Sequence, residues 1–149
     1  MNMHDLTTVE NFNEADVLHK IKLAEEFKKG KKVQLKRPVY AMNLFFENST
    51  RTHTSFEMAE QRLGMKMLEF EVQTSSVSKG ETLLDTVKTI DAIRTDVAVI
   101  GDPQNDYYEP ILDENLDISI VNAGDGSGQH PSQSLLDMMT IYEEFGRFA

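Results

Sequence analysis

Short apolar runs alternate with stretches of helical spacing along this chain, and that alternation narrows its fold more than any other feature. Val39–Phe46, Val97–Ile100 and Ile118–Asn122 read as strands, with a shorter one at Lys66–Phe70. Around them, Val17–Lys29, His53–Gly64, Gly80–Arg94, Asp106–Leu112 and Leu135–Phe145 carry apolar residues at helical spacings. Strands separated by helices join as parallel βαβ units. The expected fold is therefore α/β, a three-layer α/β/α arrangement with a four-stranded parallel sheet. A length of 149 residues fits one such domain with its own core.

Local signals mark several boundaries. Asn13 or Asp16 can cap the first helix and Gly30 can end it. Gly64 stops the second. Ser78 and Glu81 have capping-box spacing for the third. Pro131 suits an early position in the last. Lys28–Lys36 is a basic loop, Gln73–Gly80 a Ser/Thr-rich one and Ala123–Gly128 a Gly-rich turn.

Charge and composition exclude several functions. The net charge is −10, which disfavours a nucleic-acid partner, because phosphate backbones need a basic face. A local cation can still hold a small anion. The chain has no cysteine, so disulfides and thiolate chemistry are excluded. No apolar stretch approaches the roughly 18 residues that a membrane span needs. Met1–Glu10 is polar and lacks a signal-peptide core. The expected location is cytoplasmic.

Ser49-Thr50-Arg51-Thr52 sits where the first strand passes into a helix. Free N–H groups at a helix start, three hydroxyls and one guanidinium suit an oxyanion or phosphate. The same residues also suit an ordinary helix cap. In an open α/β sheet, ligands bind beyond the carboxyl ends of the strands. Three other segments occupy such places: Gly101–Gln104, Gly124–Gln133, and the loop with Ser75 and Lys79. His130 and Gln133 are three apart, so they can share one side of a first helical turn. They suit a ligand with a carbonyl as well as a phosphate; an exposed His at a capped helix start is the plainer reading. Lys79 fits either a solvated lysine or a mobile cationic lid. His4, His19 and His53 show no metal-ligand spacing and read as surface or capping residues, and Asp102, Asp106 and Glu109 as loop and helix-start acids. No GxGxxG opens a helix after a first strand, so a nicotinamide or flavin cofactor is not expected.

Four motifs taken together resemble a known family. Phe45-Phe46-Glu47-Asn48-Ser49-Thr50-Arg51-Thr52 with Ser55-Phe56-Glu57, Lys79-Gly80-Glu81-Thr82, Asn122-Ala123-Gly124-Asp125-Gly126-Ser127 and Gln129-His130-Pro131-Ser132-Gln133 resemble the aspartate carbamoyltransferase catalytic chain. Ornithine carbamoyltransferases share the Ser-Thr-Arg-Thr turn and a His-Pro-x-Gln element. The resemblance covers essentially the whole chain and implies its N-terminal, carbamoyl-phosphate-binding domain, without the aspartate-binding domain. It implies transfer of the carbamoyl group from carbamoyl phosphate to L-aspartate, the committed step of pyrimidine synthesis, with no metal or organic cofactor. It assigns phosphate binding to Ser49, Thr50, Arg51 and Thr52. Thr52 and His130 would bond the carbamoyl oxygen, and Gln133 would orient the carbamoyl amide. Ser75 and Lys79 would reach a neighbouring subunit of a homotrimer, and Glu47 would pair with the second domain.

The chain departs from that family after Val97–Ile100, where Arg then His are expected and Gly101-Asp102 stands instead. The missing arginine removes a clamp on phosphate and carbonyl oxygen. Loss of one such donor costs about 100- to 1000-fold in turnover. The expectation is a truncated, weakly active or inactive carbamoyltransferase. The alternative is a non-catalytic carbamoyl-phosphate-binding or oligomer-assembly module.

Overall fold

The structure is a computed structural model and describes residues 5–70 and 82–147. The chain runs α1 (Glu14–Lys28), β1 (Tyr40–Phe45), α2 (Thr50–Arg62), β2 (Lys66–Leu68), α3 (Leu83–Ala92), β3 (Val97–Asp102), α4 (Glu109–Asp113), β4 (Ser119–Asp125) and α5 (Pro131–Phe145). The four strands form one sheet in the order β2-β1-β3-β4, and every pairing is parallel.

Strand alternation sorts the side chains between two helical layers. Met42 and Leu44 of β1, Ala98 and Ile100 of β3 and Ile118 and Ile120 at β4 pack with Val87, Ile90, Tyr107, Tyr108 and Ile111 from the α3 and α4 side. The opposite face takes α2, which packs on β1 and β2. A cavity of about 320 Å³ is lined from α1 by Ile21 and Ala24, from α2 by Phe56 and Ala59, and from α5 by Leu135 and Met139. These three helices thus share a layer. The sheet is covered on both faces, which explains why β1 and β3 are near-continuous apolar runs.

The order 2-1-3-4 places a topological switch between β1 and β3. From β1 the chain crosses by α2 out to β2, then returns by α3 to the other side of β1. The two connections leave a crevice at the carboxyl ends of β1 and β3, where such folds take ligands. Phe46 N donates to the Gly101 carbonyl across that end at 2.9 Å.

Several expected boundaries shift. Asn13 caps α1, its side chain accepting from Asp16 N while Asp16 reaches back to the Asn13 N–H. The second helix begins at Thr50 rather than His53, so Thr50–Thr52 form its first turn. Thr82 caps α3 by accepting from Asp85 N at 3.1 Å; Ser78, Glu81 and the Gln73–Gly80 loop lie outside the described residues. β3 continues to Asp102 and β4 to Asp125, because the two strands keep pairing through an irregularity between Ile100 and Asp102. Half of the expected Gly-rich turn is therefore strand. Leu6 also makes a parallel bridge beside Val121, its N–H donating to Ile120 O at 2.8 Å and its carbonyl accepting from Asn122 N at 2.8 Å. No described helix is long and apolar enough to cross a membrane.

Candidate functional site

β1, β3 and β4 end side by side, and each delivers one motif to the same edge of the sheet. From β1 comes Glu47 to Thr52. Ser49 precedes α2 with φ −136° and ψ 65°, and its hydroxyl makes no capping hydrogen bond. The plain capping reading of this turn therefore does not hold. The hydroxyl and the first N–H groups of the helix stay open to a ligand, on the positive end of a 13-residue helix dipole. Arg51 is exposed. Its carbonyl accepts from Ser55 Oγ at 2.8 Å, and among the described residues its guanidinium has no ion-pair partner.

β3 brings Gly101 and Asp102. Gly101 pairs with Phe45 across the switch, both on the α2 face of the sheet. A Cβ at 101 would lie 2.8 Å from Phe45 Cδ1 and 3.0 Å from Cε1. The Phe45 ring is stacked on His53, with centroids 4.7 Å apart and planes at 21°. The Phe45 ring, backed by His53, occupies the space that a side chain at 101 would enter. His53 is thus not the surface residue expected; it is half-buried in that stack. Asp102 accepts from Gln104 N at 2.8 Å, and its carbonyl accepts from Gly126 N at 3.0 Å.

β4 leads to His130. The ring Nδ1 lies 3.3 Å from Ser132 Oγ. With that hydroxyl donating, the proton sits on Nε2, which is then a donor. Gly124 has φ +122°, a conformation other residues rarely adopt, and its Cα faces the ring. A Cβ there would meet His130 Cδ2 at 3.5 Å, His130 Nε2 at 4.0 Å and Glu47 Oε1 at 3.7 Å. His130 and Glu47, 83 positions apart, therefore share one spot above Gly124. Gln133 is exposed, its amide donating to Asp137 Oδ1 at 3.0 Å. Ser75 and Lys79 lie outside the described residues.

A buried polar network holds this edge. Asn122 is fully buried. Its amide donates to Thr7 O at 3.0 Å and Gln129 O at 3.3 Å, and its Oδ1 accepts from Gly124 N at 2.9 Å. The Tyr107 hydroxyl donates to Ile100 O at 2.8 Å, with Asn122 Oδ1 3.2 Å away. Burial pushes the Tyr107 phenol up, and the carboxylates of Asp125 and Asp102 push it further, so it remains a donor. Asp125, also fully buried, accepts from Asp106 N at 2.9 Å. That bond pins Asp106 at φ +55°, more than the plain loop acid expected. Nothing in the sequence marks Tyr107 or Asp125 as scaffolding, because their partners are remote in the chain. Among the described residues no cluster of His, Cys, Asp and Glu is arranged to hold a metal.

Comparisons with known proteins agree with the fold. Residues 4–143 match the family model described as the aspartate/ornithine carbamoyltransferase, carbamoyl-P binding domain. The chain is 79% identical over 148 residues to the aspartate carbamoyltransferase catalytic subunit of Pediococcus pentosaceus, covering 99% of this chain and 48% of that one. It is 64% identical to the corresponding subunit of Lactiplantibacillus plantarum, covering 97% and 46%. Among solved structures it resembles the aspartate transcarbamoylase of Trypanosoma cruzi in complex with carbamoyl aspartate and phosphate. There the TM-score is 0.85 at 40% identity, covering 96% of this chain and 47% of that one. The chain spans about half the length of these relatives. It belongs to the aspartate/ornithine carbamoyltransferase family, whose carbamoyl-phosphate-binding domain it matches.

Proposed function

We propose that residues 1–149 are the carbamoyl-phosphate-binding half of an aspartate carbamoyltransferase, able to hold carbamoyl phosphate but not to transfer its carbamoyl group unaided. The observation that carries this reading is the uncapped first turn of α2, opening at the switch between β1 and β3. Ser49, Thr50, Arg51 and Thr52 hold the phosphate. His130 Nε2 and the Thr52 hydroxyl donate to the carbamoyl oxygen. Gln133 turns from Asp137 to orient the carbamoyl amide. In the transfer step the aspartate amine attacks the carbamoyl carbon and the C–O bond to phosphate breaks. Phosphate leaves with the bonding pair and takes up the proton that the amine sheds. Donors aimed at the carbamoyl oxygen stabilise the charge it gains. Glu47, now beside His130, swings to pair with the second domain when both substrates are bound. The working unit is a cytoplasmic homotrimer in pyrimidine synthesis, with Ser75 and Lys79 completing a neighbour's site.

Calorimetric titration with carbamoyl phosphate tests the binding claim. Weak saturable binding is expected. Arg51→Ala should weaken it about 10- to 100-fold, the worth of a charge-assisted contact of about 1.5–3 kcal/mol. Equal affinity in both proteins would remove Arg51 from the site and the reading with it.

A second reading is favoured by the Phe45 ring against Gly101. Position 101 carries no cation and its side-chain space is taken by that ring, which suits a non-catalytic carbamoyl-phosphate-binding or assembly module. Addition of an intact family aspartate domain to the Gly101→Arg chain separates the two: the catalytic reading expects product, the module reading none.

A further inference from the structure

The face of α2 against the sheet is interrupted by one polar pair. Asn43, mid-strand in β1, is 8% exposed, and Glu60, near the end of α2, is 5% exposed. Asn43 Nδ2 donates to Glu60 Oε2 at 3.0 Å. The other oxygen of each, Asn43 Oδ1 and Glu60 Oε1, is buried and has no hydrogen-bond partner. An ionised Glu60 would leave two buried acceptors facing no donor, a costly arrangement. One proton resolves both. Placed on Oε1, it donates to Asn43 Oδ1 and closes a two-bond acid–amide ring.

The surroundings favour that proton. Burial pushes the Glu60 carboxyl up; the Asn43 bond opposes this in part, and the Glu57 carboxylate one turn earlier adds to it. No cation is among the groups that shift it, although α1 brings Lys20 to the cavity it shares with α2, and Lys31, Lys32 and Arg62 line another beside α2. β1 contributes Tyr40, and β2 contributes Lys66, whose ammonium lies 6.0 Å from the Tyr40 ring.

We propose that Glu60 is a positioning residue, which in its protonated form fastens α2 to β1 through the ring with Asn43 and so holds the Ser49–Thr52 turn in register. This rests on the reading of that turn as an anion cradle. The sign follows from linkage. A carboxyl raised in the folded state contributes stability that is fully present below its ordinary value of 4.5. That contribution is lost as pH rises through the folded pKa.

The experiment compares the 149-residue chain with Glu60→Gln, whose amide can make both bonds without titrating. Urea melts from mildly acidic to mildly alkaline pH give stability, and sulfate, a dianion throughout that range, reports on the cradle. As pH rises above the ordinary carboxyl range, wild type should lose stability with a slope of one proton, and on the acid side of that loss it should show the infrared carbonyl band of a protonated carboxyl. Glu60→Gln should abolish that slope and that band and be the more stable protein at high pH. Sulfate should bind wild type progressively more weakly over the same window, and Glu60→Gln evenly. Identical pH slopes in the two proteins would overturn the acid–amide ring. A pair that titrates as described while sulfate affinity stays flat would overturn the positioning role alone. Sulfate binding to neither protein would overturn the cradle reading and the positioning role together, leaving the ring to be judged by the melts.

Discussion

Under the proposed function, Gly101 is the position where one side chain most alters the chemistry of this chain. Its Cα faces Phe45 at the end of the neighbouring strand, so any Cβ presses on that ring. Overpacking of this kind costs about 1–3 kcal/mol. Gly101→Ala should therefore lower the urea midpoint without changing carbamoyl phosphate affinity. Gly101→Arg should carry the same steric cost and yet tighten binding about tenfold, because the guanidinium adds a charge-assisted contact. Calorimetry and melts on both variants check this. A Gly101→Arg protein with wild-type affinity would mean that residue 101 does not point at the phosphate. Phe45→Leu in the Gly101→Arg background should recover stability by relieving the ring. The Gly101-Asp102 departure was legible in the sequence; the Phe45 ring against Gly101, stacked on His53, was not, since it joins different elements through packing.

At the scale of elements, the edge of the site depends on buried polar bonds between β3, β4 and the segment before α4. Tyr107 ties Ile100 at the end of β3 to that segment. Tyr107→Phe keeps the ring packing but leaves the Ile100 carbonyl with one donor fewer. A loss of about 1–3 kcal/mol is expected in thermal or urea melts, the cost of a buried acceptor left unsatisfied. An unchanged midpoint would show that this edge does not depend on the bond. Element types were readable from hydrophobic period, whereas their ends were not. α2 starts three residues early because its first turn follows directly from the β1 end, and β3 and β4 run on because each supplies the other's partners.

For the whole molecule, alignment of two substrates is the issue. Holding amine and carbonyl together supplies about 7–11 kcal/mol of a barrier in favourable cases. By the proposed reading, residues 1–149 offer a phosphate turn but no site for aspartate. The isolated chain should therefore make no measurable carbamoyl-aspartate, and Gly101→Arg with Asp102→His should not change that. Fusing a family aspartate domain after Phe148 should restore turnover only when Arg is also restored at 101. Aspartate-saturable product from the unmodified chain would place an aspartate site within these residues and sink the two-half reading.

The sequence by itself determined the composition of the layers and the identity of the motifs. Periods of two and 3.6 are local properties, so four strands, their parallel pairing by βαβ units and the alternation of helices could be read from spacing. The Ser-Thr-Arg-Thr turn and the His130 element were likewise visible as short strings at strand ends. Only the tertiary structure decided the strand order β2-β1-β3-β4, and with it the switch that gathers those strings at one crevice. It alone set His130 and Glu47 over Gly124, the Phe45 ring over Gly101 and against His53, and Glu60 against Asn43. Each of these is a contact between residues far apart in the chain or on different elements. Such contacts follow from which faces are buried together, and no local pattern of residue types records that.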